Sequence, residues 1–259
     1  MKKQKGSERR HWDAFWKRDR DLDEIYDNDG RITEEVLLRM DVDGLVAMEV
    51  GAATARDSVE LARHGAVCVA LDYSREALRL AGEAASRAGT PLLLVCGDAL
   101  ALPFRDDSLD LVFHQGVLEH FRDPEPLVRE NARVLKPGGT VLVDVPQTVH
   151  PYTLIKKSLI ALNAWFAGWE TQFTPGGLGR LLSRNGLLPD GIYARYFSPS
   201  LAYRMLRELL LKTGIRLPLR PVICSPVHRL RSRARKAVER SAIGPHTGCV
   251  IGVFARKEG

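Results

Sequence analysis

Met48-Glu49-Val50-Gly51-Ala52-Ala53-Thr54-Ala55-Arg56-Asp57 decides how this chain folds. A short apolar run closes on an acidic residue, a turn of small residues follows, and an amphipathic stretch begins at Arg56. Small residues there let a ligand approach the backbone, and the start of a helix offers N–H groups to an anionic group. Outward from this point, Leu45 to Val145 alternates short apolar, β-branched runs with longer amphipathic ones, the pattern of βαβ units and a parallel sheet. Strands are expected at Leu45–Val50, Ala66–Leu71, Leu92–Cys96, Leu109–Phe113 and Thr140–Val145, each almost continuously apolar, as when helices cover both faces. Helices are expected at Arg56–His64, Arg75–Ala88 and Glu125–Leu135. Ser74 caps the second and Gly89-Thr90-Pro91 stops it, while Lys136-Pro137-Gly138-Gly139 turns the chain into the fifth strand.

The rim of this expected sheet collects polar residues. Asp72 ends the second strand 21 residues after Gly51, the spacing at which a carboxylate meets a ribose diol in nucleotide-binding α/β folds. Gly97-Asp98-Ala99 ends the third strand and Gln115-Gly116 the fourth. Singly, each has a bland reading: an acid after a strand caps a helix, and a small-residue turn is only a turn. Four such segments at consecutive strand ends point instead to a ligand crevice at the topological switch point.

These motifs resemble a class I S-adenosylmethionine-dependent methyltransferase, in the broad group that includes the ubiquinone- and menaquinone-biosynthesis methyltransferases. The family's acid-x-Gly-x-Gly-x-Gly motif stands here as Glu49-Val50-Gly51-Ala52-Ala53-Thr54-Ala55. Cys96-Gly97-Asp98-Ala99, Leu102-Pro103-Phe104, Leu109-Asp110-Leu111-Val112, Val117-Leu118-Glu119-His120 and Arg133-Val134-Leu135-Lys136-Pro137-Gly138-Gly139 follow in the family's order. The resemblance implies S-adenosyl-L-methionine as cofactor. By position, Glu49 would orient the loop and the methionine end, and Gly51 would let the backbone approach. Asp72 would bind the ribose hydroxyls, Tyr73 would pack on the adenine, and Asp98 would accept from its amino group with the Ala99 N–H at the ring. The Gln115 backbone would reach the methionine ammonium. Ala53 and Ala55 replace family glycines, which predicts a tighter loop and weaker binding, since a Cβ disfavours positive φ. The same alanines break the G-x-G-x-x-G of a nicotinamide dehydrogenase, a pattern in which Gly97-Asp98-Ala99 has no role.

The whole chain has 259 residues, 45% hydrophobic and 27% charged, which excludes a disordered or collagen-like protein and suits one large α/β domain. No apolar run reaches membrane-span length, and no apolar segment follows the charged start, so the protein is read as cytoplasmic. Cys68, Cys96, Cys224 and Cys249 lie far apart without ligand-like spacing; those in apolar strand-like runs read as small buried hydrophobes. The net charge of +6 is uneven: residues 201–243 hold eleven Lys/Arg against Glu208 and Glu239, a local surplus of nine. The fold expected is a Rossmann-like, doubly wound, mostly parallel seven-stranded sheet. Residues 1–40 form a helical arm or lid, and 41–259 the methyltransferase domain. Within that domain, 45–145 is the core, 146–200 the acceptor side, 201–243 a basic helical insertion and 247–256 the last strand. Further helices are expected at Pro151–Phe166 and Thr174–Asn185, and a sixth strand at Leu187–Phe197.

Methyl transfer to an activated carbon needs alignment and exclusion of water, plus a base when the acceptor is a hydroxyl. His120 is the base candidate, the alternative being a histidine that only closes the site; His114 reads as packed, and His150 is a third candidate. Metal binding is not expected. Gly116 stands where some quinone-precursor relatives carry the first carboxylate of Glu-x-x-Glu-His. Asp27-Asn28-Asp29-Gly30 lacks calcium ligands at Ile25 and Val36. Trp12, Phe15 and Trp16 share one helical face that could lid the cofactor, and Trp165, Phe166, Trp169 and Phe173 form a second aromatic group, ordinary core being the alternative for both. The acceptor is read as a small or lipid-linked molecule. The basic segment suits an anionic membrane surface, giving peripheral attachment; RNA fits less well because only Tyr203 interleaves, and a solvated cap is the third reading. An RNA methyltransferase and a cofactor-binding pseudoenzyme remain the alternative functions.

Overall fold

Seven strands build one sheet: β1 (Val46–Val50), β2 (Val67–Asp72), β3 (Leu93–Cys96), β4 (Leu109–Gln115), β5 (Leu135–Pro146), β6 (Leu187–Arg195) and β7 (Val250–Lys257). Their order is β3-β2-β1-β4-β5-β7-β6. All pairs are parallel except those of β7 with β5 and β6. The computed structural model describes residues 9–17, 30–162, 169–197, 199–218, 221 and 225–259. Its helices are α1 (Arg9–Trp16), α2 (Arg31–Leu37), α3 (Arg56–Arg63), α4 (Arg75–Ala88), α5 (Glu125–Val134), α6 (Pro151–Ala161), α7 (Pro175–Ser183), α8 (Leu201–Lys212), α9 (Ser225–Glu239) and α10 (Gly244–Thr247).

Strand alternation splits the core into two layers. Met48, Val141 and Val143 face one side and pack with Leu127 and Val128 of α5 and Leu178 and Leu181 of α7. Ala47, Phe113 and Leu142 face the other, against Ile32 and Val36 of α2 and Leu61 of α3. With helices on both faces, the strands have no polar side to show, which is why they read as unbroken apolar runs. Strand order reverses between β1 and β4, so the loops after these two strands diverge and open the crevice.

Five expectations need correction. β5 begins at Leu135, not Thr140, because α5 drops straight into extended backbone and Leu135 pairs with Leu109 before a register shift. β7 begins at Val250, since Pro245 starts a helical turn over 244–247 and the Thr247 hydroxyl donates to the Ile243 carbonyl at 3.0 Å. β6 ends at Arg195, short of Phe197, whose N–H donates to the Cys249 thiol. Cys96 is exposed, because β3 is the edge strand, whereas Cys68 and Cys249 are buried as expected. α6 ends at Ala161; Trp165 and Phe166, like Asp27–Asp29 and Cys224, lie outside the described residues. Among the described residues no helix is long and apolar enough to cross a membrane.

Candidate active site

The loop after β1 keeps a glycine-type path with only one glycine. Gly51 takes φ +64°, and Ala53 and Ala55 take +51° and +52°. The alanines therefore adopt the left-handed conformation instead of rebuilding the loop, at roughly 1–2 kcal/mol each. What holds them there is a set of fixed contacts. The Ala52 N–H donates to the Leu71 carbonyl at 3.0 Å, the Ala53 N–H donates to Asp72 Oδ2 at 3.0 Å, and Ala55 is fully buried with Ala52, Ala70 and Ala81. Gly51 has no such latitude. A Cβ there would lie 2.6 Å from Val117 Cγ2, so the loops after β1 and β4 touch at this point.

Glu49 closes β1 with Oε2 accepting from the Ser58 N–H (3.1 Å) and hydroxyl (2.6 Å), which ties the strand end to the first turn of α3. Burial and the neighbouring Asp57 push its carboxyl up to about 8. Asp72 is buried at the end of β2, and burial raises its carboxyl despite N–H donors from Ser74 (2.8 Å) and Ala53. With a further bond from the Tyr73 N–H, these still leave acceptor capacity on a group with about four lone-pair sites. Tyr73 is half-buried beside it. Asp98 is exposed on the same rim, its Oδ1 accepting the Leu100 N–H at 2.9 Å, and the half-buried Ala99 packs against the core. Gln115 ends β4 opposite Asp144, and its side-chain oxygen is buried without a hydrogen-bond partner among the described residues. The structure thus brings Glu49, Gly51, Ala53, Ala55, Asp72, Tyr73, Asp98, Ala99 and Gln115 to the carboxyl ends of four adjacent strands.

The aromatic face of α1 covers this rim. Phe15 and Trp16 are buried against Ala77, Ala53 and Leu80, and Trp12 meets the His120 ring edge-on with centroids 5.2 Å apart. His120 itself ends a short 3-10 turn, Leu118–His120. His114 is fully buried in β4, and burial lowers its imidazole to about 4, so it is neutral and packed. His150 caps α6 by accepting the Tyr152 N–H on Nδ1 at 3.1 Å and places Nε2 3.3 Å from the Cys249 sulfur. Trp169 is half-buried under the Arg122 guanidinium, and Phe173 is core.

Two polar clusters were not anticipated from the sequence. Arg31 of α2 makes a paired contact to Asp144 on β5 (2.9 and 3.1 Å), and Tyr193 donates to the same carboxylate at 2.7 Å. Nearer the rim, buried Lys156 of α6 pairs with Glu170, and buried Glu119 stands close by. Two adjacent lysines, Lys156 and Lys157, inside the apolar run Pro151–Ala161 and a single acid between Trp169 and Phe173 were the available signals. Beside this cluster opens a cavity of about 380 Å³ walled by Ile160, Ala161 and Trp169, with Thr148, Glu170 and Gln172 as polar lining.

This sheet order, the acid-ended strands and the small-residue loop define the class I S-adenosylmethionine-dependent methyltransferase fold. Solved structures agree. Magnesium protoporphyrin IX methyltransferase from Synechocystis PCC 6803, with bound S-adenosylhomocysteine, superposes with a TM-score of 0.59 at 12% identity, over 96% of this chain and 93% of that one. The cyclase SpnF superposes with a TM-score of 0.61 at 22% identity, over 88% and 80%. By sequence, demethylmenaquinone methyltransferase of Mycobacterium tuberculosis is 39% identical over 100 residues, 39% of this chain and 40% of the relative. That of Corynebacterium efficiens is 40% identical over 100 residues, 39% and 41%. The aligned stretch spans about two fifths of these relatives. Residues 48–143 match the model of a methyltransferase domain.

Proposed function

We propose that the chain transfers a methyl group from S-adenosyl-L-methionine to a small-molecule acceptor with a hydroxylated ring, of the kind the demethylmenaquinone methyltransferase relatives suggest. The observation that carries this reading is the joint placement of the Gly51–Ala55 loop, Asp72 and Gln115 around the β1/β4 switch point, under an aromatic lid. The residues fit the cofactor. Gly51 leaves backbone open where a side chain would fill the gap to Val117, Asp72 keeps acceptor capacity for a diol, and the Gln115 amide oxygen has no partner among the described residues. Bound there, the cofactor supplies an electrophilic methyl on a sulfonium. Glu49 holds the loop on α3, Asp72 takes the ribose hydroxyls, Tyr73 and Ala99 flank the adenine, and Asp98 accepts its amino group. Ala53 and Ala55 hold the loop shape that Gly51 begins. Trp12 and His120 close the rim against water, which favours direct displacement over hydrolysis.

The acceptor enters from the side built by residues 146–200, where the cavity lies. Methyl-labelled S-adenosylmethionine incubated with the chain and 1,4-dihydroxynaphthalene tests the reading: label should pass to the naphthalene. Cofactor binding without transfer to that compound or to simple phenols would favour the cofactor-binding pseudoenzyme instead. Attachment to an anionic membrane surface through 201–243 belongs to the same proposal, because α8 exposes Met205, Leu206 and Leu209 on a basic helix.

A further inference from the structure

We propose that Glu119 is the group that takes the proton from the acceptor's ring hydroxyl, and that Thr148 and Gln172 hold that ring in the neighbouring cavity. The inference rests on the methyltransferase reading above, and it moves the base from His120 to the residue before it.

The cavity has unmet polar groups. Thr148 Oγ1 and both amide atoms of Gln172 are buried without a hydrogen-bond partner among the described residues, although both side chains line the space. Buried orphaned groups of this kind are costly unless something they are shaped for satisfies them. Ile160, Ala161 and Trp169 supply an apolar wall, while the exposed Lys157 stands at the mouth. An amide and a hydroxyl facing apolar and aromatic walls suit a flat ring with oxygen substituents better than a charged or extended ligand. A volume of about 380 Å³ lies within the usual range for small-molecule sites.

Glu119 links the end of β4 to the segment that lines this cavity. On one side, a Cβ on Gly116 at the end of β4 would lie 3.7 Å from Glu119 Oε1. On the other, the Thr171 N–H donates to the Glu119 carbonyl at 2.6 Å, and Thr171 sits between Glu170 and Gln172, both of which line the cavity. Glu119 is 3% exposed, and its Oε2 has no hydrogen-bond partner among the described residues.

The charges around it set its resting state. Its charged neighbours are the Glu170–Lys156 pair and Asp144 of β5 with its own partner Arg31, and His120 follows it on the same turn. Glu170 is paired with Lys156, and the burial of Glu119 together with the negative charge of Glu170 favours the protonated form of Glu119. Burial and then Glu170 raise its carboxyl accordingly. Once ionised, Glu119 accepts the hydroxyl proton. The O–H bond breaks, its electron pair stays on the ring oxygen, and the resulting phenolate is neighbour to the crevice where the methyl is presented. Lys156 offsets the charge throughout.

The probe is 2-naphthol, with 2-methoxynaphthalene as the matched compound lacking the proton. Binding of each to the full chain is measured in the presence of S-adenosylhomocysteine, between about pH 6 and about pH 9. Preference for the naphthol should rise about tenfold as Glu119 ionises, since a hydrogen bond to a charged acceptor is roughly twice as strong as a neutral one. In Glu119→Gln the preference should be flat with pH. Ala161→Trp, at an exposed lining position, should block both compounds. Neither variant should change affinity for S-adenosylhomocysteine, which also shows that the variants fold. A wild-type preference that does not vary with pH, an unchanged pH response in Glu119→Gln, or full binding in Ala161→Trp overturns the proposal. Failure of the wild type to bind S-adenosylhomocysteine overturns the methyltransferase reading beneath it.

Discussion

Glu49 shows how much a single position in the motif carries. Its carboxyl is buried between Ser58, which donates two hydrogen bonds to it, and Asp57, which repels it. A carboxyl raised in the folded state favours folding most at acidic pH, and that contribution is lost as pH climbs from the ordinary carboxyl range through about 8. Thermal stability should therefore decline across that window. In Glu49→Gln the decline should be shallower, because the Gln oxygen still accepts from Ser58 and no charge need be buried. Melting curves at several pH values check this; parallel pH dependences in the two proteins would count against it. Ala53 and Ala55 take backbone angles that their side chains disfavour. Their Cβ atoms argued for a tighter loop and weaker binding; hydrogen bonds at Ala52 and Ala53 and the packing of Ala55 hold glycine-like angles.

At the scale of elements, the loop after β1 and the loop after β4 work as a pair. Gly51→Ala brings a Cβ to 2.6 Å from Val117 Cγ2 and forces a side chain into positive φ, so it should cost about 2–4 kcal/mol of stability. Adding Val117→Ala should recover the steric part and leave roughly 1–2 kcal/mol of backbone strain. Denaturant titration of the single and double variants measures both. Full recovery, or none, would mean that the two loops do not meet as described. The strands and helices of 45–145 were legible because period and capping are local signals, with Ser74 and Gly89 bounding α4 where expected. The extension of β5 was not legible, because Leu135 becomes strand through its pairing with Leu109, twenty-six residues earlier. The lid was half legible. Helical spacing put Trp12, Phe15 and Trp16 on one face, but only the fold shows that this face lands on Ala53 and His120.

For the whole molecule, charge and site lie in different places. The crevice is rimmed by carboxylates, while the basic surplus sits on α8 and α9. Most of α9 is exposed, and its buried Glu239 anchors it by accepting the Tyr196 N–H at 2.9 Å and facing Arg195. Vesicles containing anionic lipid should bind the chain at low salt and release it as salt rises, at about 1 kcal/mol for each basic residue near the surface. Leu206→Ser with Leu209→Ser should weaken that binding strongly while leaving any RNA binding nearly intact; flotation with no bound chain at low salt would remove the membrane reading. The Lys156–Glu170–Glu119 cluster left only faint signals in the sequence, because Glu119 lies far along the chain from the other two and joins them only through the fold. The strand-end residues proposed to hold the cofactor were legible as a group because each sits at a strand end with its own local signature. The most direct test of that site is calorimetric titration of S-adenosylhomocysteine into the wild-type chain and into Asp72→Ala. The wild type should bind one equivalent, and the variant should bind about ten- to a hundredfold more weakly through loss of charged hydrogen bonds to the ribose, alongside a lower melting temperature because the Ala53 and Ser74 N–H groups lose their acceptor. No heat above dilution in the folded wild type at millimolar ligand, or equal affinity in the two proteins, would contradict the account.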